Sequence, residues 1–270
     1  MRASFSYSMR AEFGEEVTGH CFVLRCMPRD DLRQTVYWKA LRVSPLSESE
    51  YSLDPHGNIL VEGTVPGAWD YFSAELSGEA ELVESDGRVA EQHALEWDRE
   101  WYAGQTRLTE PGEGIRSLAS EAHGGSVLET AESAMAAVIE ALPYTRGVTG
   151  PSTTVEEAIS AGGGVCQDLA QALVSVLRLR GVPARYVAGL SAGEGETHAW
   201  AEYLDGNVWY GIDPTAGRHV SGPYVKLSHG RDASECRINR GVFTGPSAGV
   251  QRVSANLHVQ GTDAAQHQEQ

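Results

Sequence analysis

The chain has 270 residues, enough for one large domain or two modest ones, each with a buried core. A formal charge of −16 excludes the basic footprint of a nucleic-acid binder or of a protein held on an anionic membrane. No apolar run reaches the length of about 18 residues that a transmembrane helix needs. Residues 1–8 contain an Arg but no apolar stretch of the signal-peptide kind, so a cytoplasmic location is the default expectation.

Residues 1–90 read as strands. Alternating or β-rich patterns cover 5–13, 20–27, 34–44, 49–54, 58–65 and 69–83, with turns at Asp54-Pro55-His56-Gly57-Asn58 and Asp86-Gly87. Short strands at this spacing predict a β-sandwich. His20, His56 and His93 are expected to be exposed or satisfied by neighbours. Cys21 and Cys26 stand five apart in one strand and point to opposite faces, which disfavours a disulfide. No Cys-x-x-Cys pair and no zinc-type His spacing occurs, so no metal site is expected.

Residues 91–112 form a connecting segment, and Trp97, Trp101 and Tyr102 predict that it packs onto something. From Gly114 the pattern turns helical. Ile115, Leu118 and Ala119 make a short stripe. Residues 127–142 repeat Leu128, Ala131, Met135, Val138, Ile139 and Leu142 on one face, ended by Pro143. After a loop, Ser152, Thr153 or Thr154 caps a short helix with Glu156 in its first turn.

The stretch from Gly162 to Thr215 carries the chemistry. Gly162, Gly163 and Gly164 read as a tight loop. Leu169, Ala170, Leu173, Val176 and Leu177 then mark an amphipathic helix that Gly181 and Pro183 end. Cys166 therefore stands at a helix start, where free N–H groups and the macrodipole favour negative charge on sulfur. Residues 184–190 and 197–204 read as strands, and Asp205-Gly206-Asn207 turns the second into a hairpin with 208–212. His198 begins the first hairpin strand and Asp213 follows the second, so antiparallel pairing makes them neighbours. A thiol, an imidazole to take its proton and a carboxylate to orient that imidazole are the parts of nucleophilic acyl transfer. The Cys166 N–H is one oxyanion donor. Trp200 and Tyr144 are the aromatic candidates for a binding role there, each also readable as a packing residue.

These pieces resemble the catalytic core of the transglutaminase-like superfamily, the papain-like group that includes bacterial transglutaminase-like proteins. The matching segments are Gly164-Val165-Cys166-Gln167-Asp168, Arg178-Leu179-Arg180-Gly181-Val182-Pro183-Ala184-Arg185, His198-Ala199-Trp200-Ala201-Glu202 and Asp213-Pro214-Thr215. Tyr7, Leu24-Arg25, Pro28, Gln34, Asp54 and Gly57-Asn58 resemble the N-terminal domain that precedes this core, and Gly230-Arg231-Asp232 and Arg240-Gly241 resemble its continuation. The residues and the resemblance together predict an α+β protein: an N-terminal β-sandwich (1–90), the connection (91–112), a papain-like core of helices on a small antiparallel sheet (113–260) and, from its small polar residues, a disordered tail (261–270). The resemblance implies Cys166 as nucleophile, His198 as base and Asp213 as orienting carboxylate, acting on a peptide or protein substrate without cofactor or metal. Hydrolysis, as in a cysteine peptidase or amidase, and amine transfer, as in a transglutaminase, share the chemistry as far as the thioester. A binding module with an idle triad is the reading from another class. Loops 145–152 and 191–196 are expected to line the cleft, His219, His229 and Asp232 are lesser candidates for it, and Cys236 is expected to be a bystander. Nothing in the sequence signals an oligomeric state.

Overall fold

The structure, a computed structural model, describes residues 1–193, 195–245 and 249–260. The tail expected over 261–270 lies outside the described residues. The short strands expected in the first 90 residues are in part continuous. Most of 5–13 and 20–27 belongs to β1 (Arg2–Leu24), and 59–65 joins 69–82 in β4 (Ile59–Leu82). These two strands pair antiparallel from Arg2↔Glu81 to Leu24↔Val61. Their register slips between Glu12 and Val17 and again between Thr18 and His20. Gly19 (φ +60°) and Gly67 (φ +84°) stand beside the slips in the left-handed conformation that only glycine adopts freely.

The slips divide the pair into two halves. The first carries β2 (Gln34–Ser44) on β4 and β12 (Val250–Val259) on β1. The second carries β3 (Glu48–Leu53) on β4 and β11 (Asn239–Thr244) on β1. Phe5, Tyr7 and Leu76 from one half meet Phe22, Leu24 and Val61 from the other in one hydrophobic cluster. The N-terminal sandwich is therefore a single six-stranded sheet doubled over at its bulges.

This corrects the expected boundaries. Residues 239–259, assigned to the catalytic part, return to the N-terminal sheet, where Ala255 and Leu257 are buried. A strand's own alternation reveals its buried face but not its partner. The connection is corrected as well: β5 (Ala90–His93) is an edge strand of the second sheet. That sheet runs in the order β10 (Tyr224–Gly230), β6 (Ala184–Ser191), β7 (His198–Asp205), β8 (Val208–Asp213), β5, with β9 (Arg218–His219) on β8.

Among the described residues five helices accompany it: α1 (Asp98–Trp101), α2 (Glu113–Glu121), α3 (Val127–Ala141), α4 (Val155–Ala161) and α5 (Cys166–Leu179). Ser126 caps α3 by accepting the Glu129 N–H, and Thr154 with Glu157 forms a capping box on α4. The core sits around α5. Leu169, Ala170, Leu173, Val174, Val176 and Leu177 are all buried, because β6 and β7 cover one side and α2 and α3 the other. Cutting Leu173 to Ala is expected to cost about 2–5 kcal/mol. Arg178 fixes the far end of α5 by donating to the carbonyls of Tyr102, Ala184 and Arg231. With that end pinned, the N-terminus of α5 is held over the start of β7. No helix among the described residues is long and apolar enough to cross a membrane.

Candidate active site

The turn from α4 into α5 is built from both sides. Gly162 (φ +72°) ends α4. Gly164 donates to Pro143 O at 3.3 Å and accepts from Thr145 N–H at 2.7 Å, so the segment bearing Tyr144 lies alongside the loop. A Cβ at Gly164 would stand 2.5 Å from Asp168 Cβ. Asp168 Oδ2 in turn accepts the Val165 N–H (2.8 Å) and the Thr149 hydroxyl (2.6 Å). The acid two residues after the cysteine thus locks the helix start. Cys166 is left as the first residue of α5, half-buried, with a backbone N–H that the helix itself has no acceptor for.

The hairpin of β7 and β8, in register from Ala201↔Ile212 to Asp205↔Val208, brings the start of one strand to the end of the other. His198 Nε2 lies 2.7 Å from Asp213 Oδ2. The same carboxylate accepts N–H groups from Thr215 (2.8 Å) and Ala216 (3.2 Å) through Oδ1, and the Tyr224 hydroxyl through Oδ2 at 2.9 Å. The turn in Asp213-Pro214-Thr215 therefore aims the acid as well as ending the strand. Burial works against charge on His198, but the hydrogen bond to Asp213 and the neighbouring Asp213 and Cys166 charges outweigh it and raise its pKa to about 10. Nδ1, the nitrogen not bound to Asp213, has no hydrogen-bond partner among the described residues. The Cys166 sulfur is close enough to act on the ring's titration. Tyr224 is pushed up to about 12 by burial and by Asp213, so it stays a neutral donor.

Cys166 and His198 open onto a cleft of about 500 Å³. Tyr144, Arg146, Pro151, Tyr186, Glu196 and Arg237 line it, so both predicted loops contribute; Glu194 lies outside the described residues. The opposite wall comes from the doubled sheet, through Tyr7, Asn239, Gln251 and Val253, with Asn239 Nδ2 donating to the Tyr7 hydroxyl at 3.1 Å. The N-terminal sheet is thus part of the site's enclosure.

Of the two aromatic candidates, Tyr144 is 45% exposed and lines this cleft. Trp200 has no exposed surface. It packs with Val187, Val220 and Tyr224, which corrects the expectation that it meets a substrate. His219 instead pairs with Glu132 at 3.0 Å, and His229 is buried beside a separate hollow with His56 and Tyr102. Asp232 caps its own turn by accepting from Ser234 and Glu235. Cys236, expected as a bystander, is buried in the cleft wall, its thiol donating to Tyr186 O at 3.6 Å and its pKa driven well up by burial. His56 is satisfied by Tyr102 and Glu235, but His20 is buried among phenyl rings. All four cysteines are free, and among the described residues no group of three or more His, Cys, Asp or Glu gathers as metal ligands would.

Sequence reasoning missed Tyr224 and the whole β-sheet wall. Tyr224 sits in an ordinary strand pattern eleven residues after Asp213. Only the pairing of β10 onto β6 carries it toward the carboxylate.

Comparison with known proteins agrees with this architecture. Residues 116–214 match the transglutaminase-like superfamily, and residues 4–81 match the bacterial transglutaminase-like N-terminal region. An uncharacterized protein of Mycobacterium leprae is 32% identical over 117 residues, 40% of this chain and 42% of its own length. One from Mycobacterium tuberculosis is 34% identical over 131 residues, 42% of each. The chain thus spans about two fifths of the length of these curated relatives. A candidate cysteine protease from Cytophaga hutchinsonii superposes with a TM-score of 0.77 over 95% of this chain and 90% of its own, at 19% identity, which is a likeness of fold. In sequence order, then, the chain joins a bacterial transglutaminase-like N-terminal region to a core of the transglutaminase-like superfamily.

Proposed function

We propose that this protein is a thiol acyl-transfer enzyme, acting foremost as a cysteine peptidase or amidase. Cys166 is its nucleophile, His198 its general base and Asp213 the carboxylate that orients the base. The observation that carries the reading is the His198–Asp213 contact of 2.7 Å, with the other ring nitrogen unpartnered in a buried setting beside Cys166. A buried imidazole nitrogen without a partner costs stability unless something uses it.

In this reading His198, with its raised pKa, already holds the Cys166 proton at neutral pH, and the thiolate attacks a peptide or carboxamide carbonyl. The oxyanion that forms is met by the Cys166 N–H at the helix start, and Tyr144 lines the same cleft. The C–N bond then breaks. The leaving amine or ammonia takes the proton back from His198, and a thioester remains. Water, deprotonated by His198, releases the acid and restores the thiol. The likeness to a candidate cysteine protease favours water in that last step. A primary amine in its place gives transglutamination.

Intact-mass analysis after incubation with glutamine-containing peptides, with and without a dansylated alkylamine, tests this. Cleavage or deamidation that disappears in Cys166→Ala supports the hydrolase. Amine incorporation that disappears in the same variant moves the assignment to a transglutaminase. A Cys166 thiol that alkylates no faster than free cysteine, with or without His198, would mean that the fold serves as a binding module.

A further inference from the structure

Beside the cleft lies a second hollow, inside the doubled sheet. It measures about 250 Å³, and Asn239 and Gln251 line both spaces. Its walls are the inward faces of four strands: Ala11, His20 and Phe22 from β1, Phe72 from β4, Phe243 from β11 and Gln251 from β12. The rings are arranged edge to face or tilted. Phe22 and Phe72 lie 5.0 Å apart, and His20 stands edge-on to Phe72 at 4.5 Å and to Phe243 at 6.1 Å. His20 is 7% exposed, and its ring makes no hydrogen bond among the described residues. Burial lowers its pKa, so the imidazole is neutral at neutral pH and keeps one donor and one acceptor to offer.

The hollow is floored by buried Phe22, Leu24 and Phe72 and open at its rim, where Arg240, Gly241 and Gln251 are exposed, so a side chain can enter it from outside. Its volume falls below the range of about 300–1,000 Å³ of whole-ligand pockets and suits a single large side chain. Its position suits one too. From Asn239 on the cleft wall to Phe243 is four residues of β11, roughly 13 Å at about 3.3 Å per residue. A peptide extended along the cleft covers that distance in about four residues of its own.

We propose that this hollow is a specificity pocket of the acyl-transfer site. It receives a large apolar side chain of the peptide substrate, aromatic for preference, a few residues from the carbonyl that Cys166 attacks. The proposal rests on the acyl-transfer reading above. An aromatic ring would complete the edge-to-face set of Phe22, Phe72 and Phe243, and a phenol hydroxyl could bond His20.

Four-residue peptidyl chloromethyl ketones test it, with Phe placed in turn at each position of a Gly/Ala background. The rate of Cys166 modification is read by intact mass and divided by the rate with iodoacetamide, which carries no side chain. At one position Phe is expected to raise this ratio about tenfold or more over Gly. Ala11→Phe, which fills the hollow, brings the ratio back near that of the Gly probe. Phe243→Ala, which enlarges the hollow, shifts the preference toward naphthylalanine and covers the case in which the filled variant fails to fold. Equal ratios for Phe and Gly at every position, with iodoacetamide still fast and dependent on His198, overturn the pocket and leave the enzyme reading standing. A Phe preference that survives in both variants also overturns it, because selectivity then arises elsewhere in the cleft. Slow iodoacetamide labelling indifferent to His198 overturns the enzyme reading and the pocket with it.

Discussion

One face of β7 carries two buried acid–base clusters, and they are built to opposite ends. His198, Trp200 and Glu202 alternate along it. At the Glu202 end the carboxylate accepts Arg185 Nε at 2.6 Å and Lys226 Nζ at 2.7 Å. Arg185 also donates to Gln92 at 3.1 Å and stacks over Trp209 at 4.3 Å. Both oxygens of Glu202 are engaged, and the cluster has almost no exposed surface. At the His198 end Asp213 is equally well held, by four donors, but the imidazole keeps one nitrogen without a partner beside a cleft. Trp200, fully buried, separates the two. A cluster whose partners are all matched holds strands together. A cluster with one unmatched group at an opening has a proton position left for chemistry.

Substitutions at the two ends should therefore fail in different ways. The largest effect belongs to the open end. Cys166→Ala removes the proposed nucleophile and is expected to abolish thioester formation, and His198→Ala is expected to lower kcat by about 10⁴–10⁶ while the protein stays folded. Peptide conversion followed by mass, alongside circular dichroism, reads both. Next comes Glu202→Ala, which strands Arg185 and Lys226 as buried charges and is expected to cost about 3–5 kcal/mol in urea unfolding. The folded fraction of that variant should alkylate at Cys166 at the normal rate. If Glu202→Ala left stability intact and stopped alkylation, the two ends would be one functional network and the contrast would fall.

The pH dependence of stability separates the ends with a smaller effect and opposite signs. His198 is raised to about 10 in the folded protein, against about 6.5 unfolded. Its contribution is complete below about pH 6.5, declines as pH rises and is gone above about pH 10. For Glu202, burial opposes ionisation, but Arg185 and Lys226 outweigh it and lower its pKa from an ordinary value of 4.5. Its contribution is complete above that ordinary value and is lost as pH falls through the lowered one. Urea midpoints from pH 3 to 11 should show His198→Asn flattening only the alkaline limb and Glu202→Gln only the acid limb. A single variant that flattens both limbs would join the two clusters.

The open end was far more legible in the sequence than the closed end or the sandwich. Cys166, His198 and Asp213 each sit in a local pattern that states its own geometry: a glycine loop before an amphipathic helix, the start of a hairpin strand and the turn that follows its partner. Local pattern fixes which residues share a helix face or a hairpin end, and those were the contacts required. Tyr224, Tyr7, Asn239 and Gln251 reach the site through pairings between strands distant in sequence. Alternation is silent about those partners, because any strand with the same buried face would serve. The same silence explains why 239–259 was assigned to the catalytic part. Trp200 stayed open between binding and packing, because an aromatic beside a candidate base looks the same in sequence whether it faces the cleft or the core.

The smallest predicted effect is at Tyr224, and it tests how far the open end depends on its surroundings. The Tyr224 hydroxyl is one of four donors to Asp213, and the ring stands edge-on to Trp200 at 5.5 Å. Tyr224→Phe keeps that packing and removes one hydrogen bond, a change expected to cost about 1–2 kcal/mol. Because Thr215, Ala216 and His198 still hold the carboxylate, the loss should appear as a fall of about five- to thirtyfold in kcat with KM unchanged. The proton balance should move as well. A carboxylate relieved of a donor carries more of its charge toward His198, so the alkaline limb of the stability profile should shift upward in pH. A structural role alone would lower the urea midpoint equally at all pH values and leave that limb in place. A fall as large as that of His198→Ala would make Tyr224 indispensable and place the orienting function in the Tyr224–Asp213 pair. No change at all would leave the Asp213-Pro214-Thr215 turn sufficient by itself.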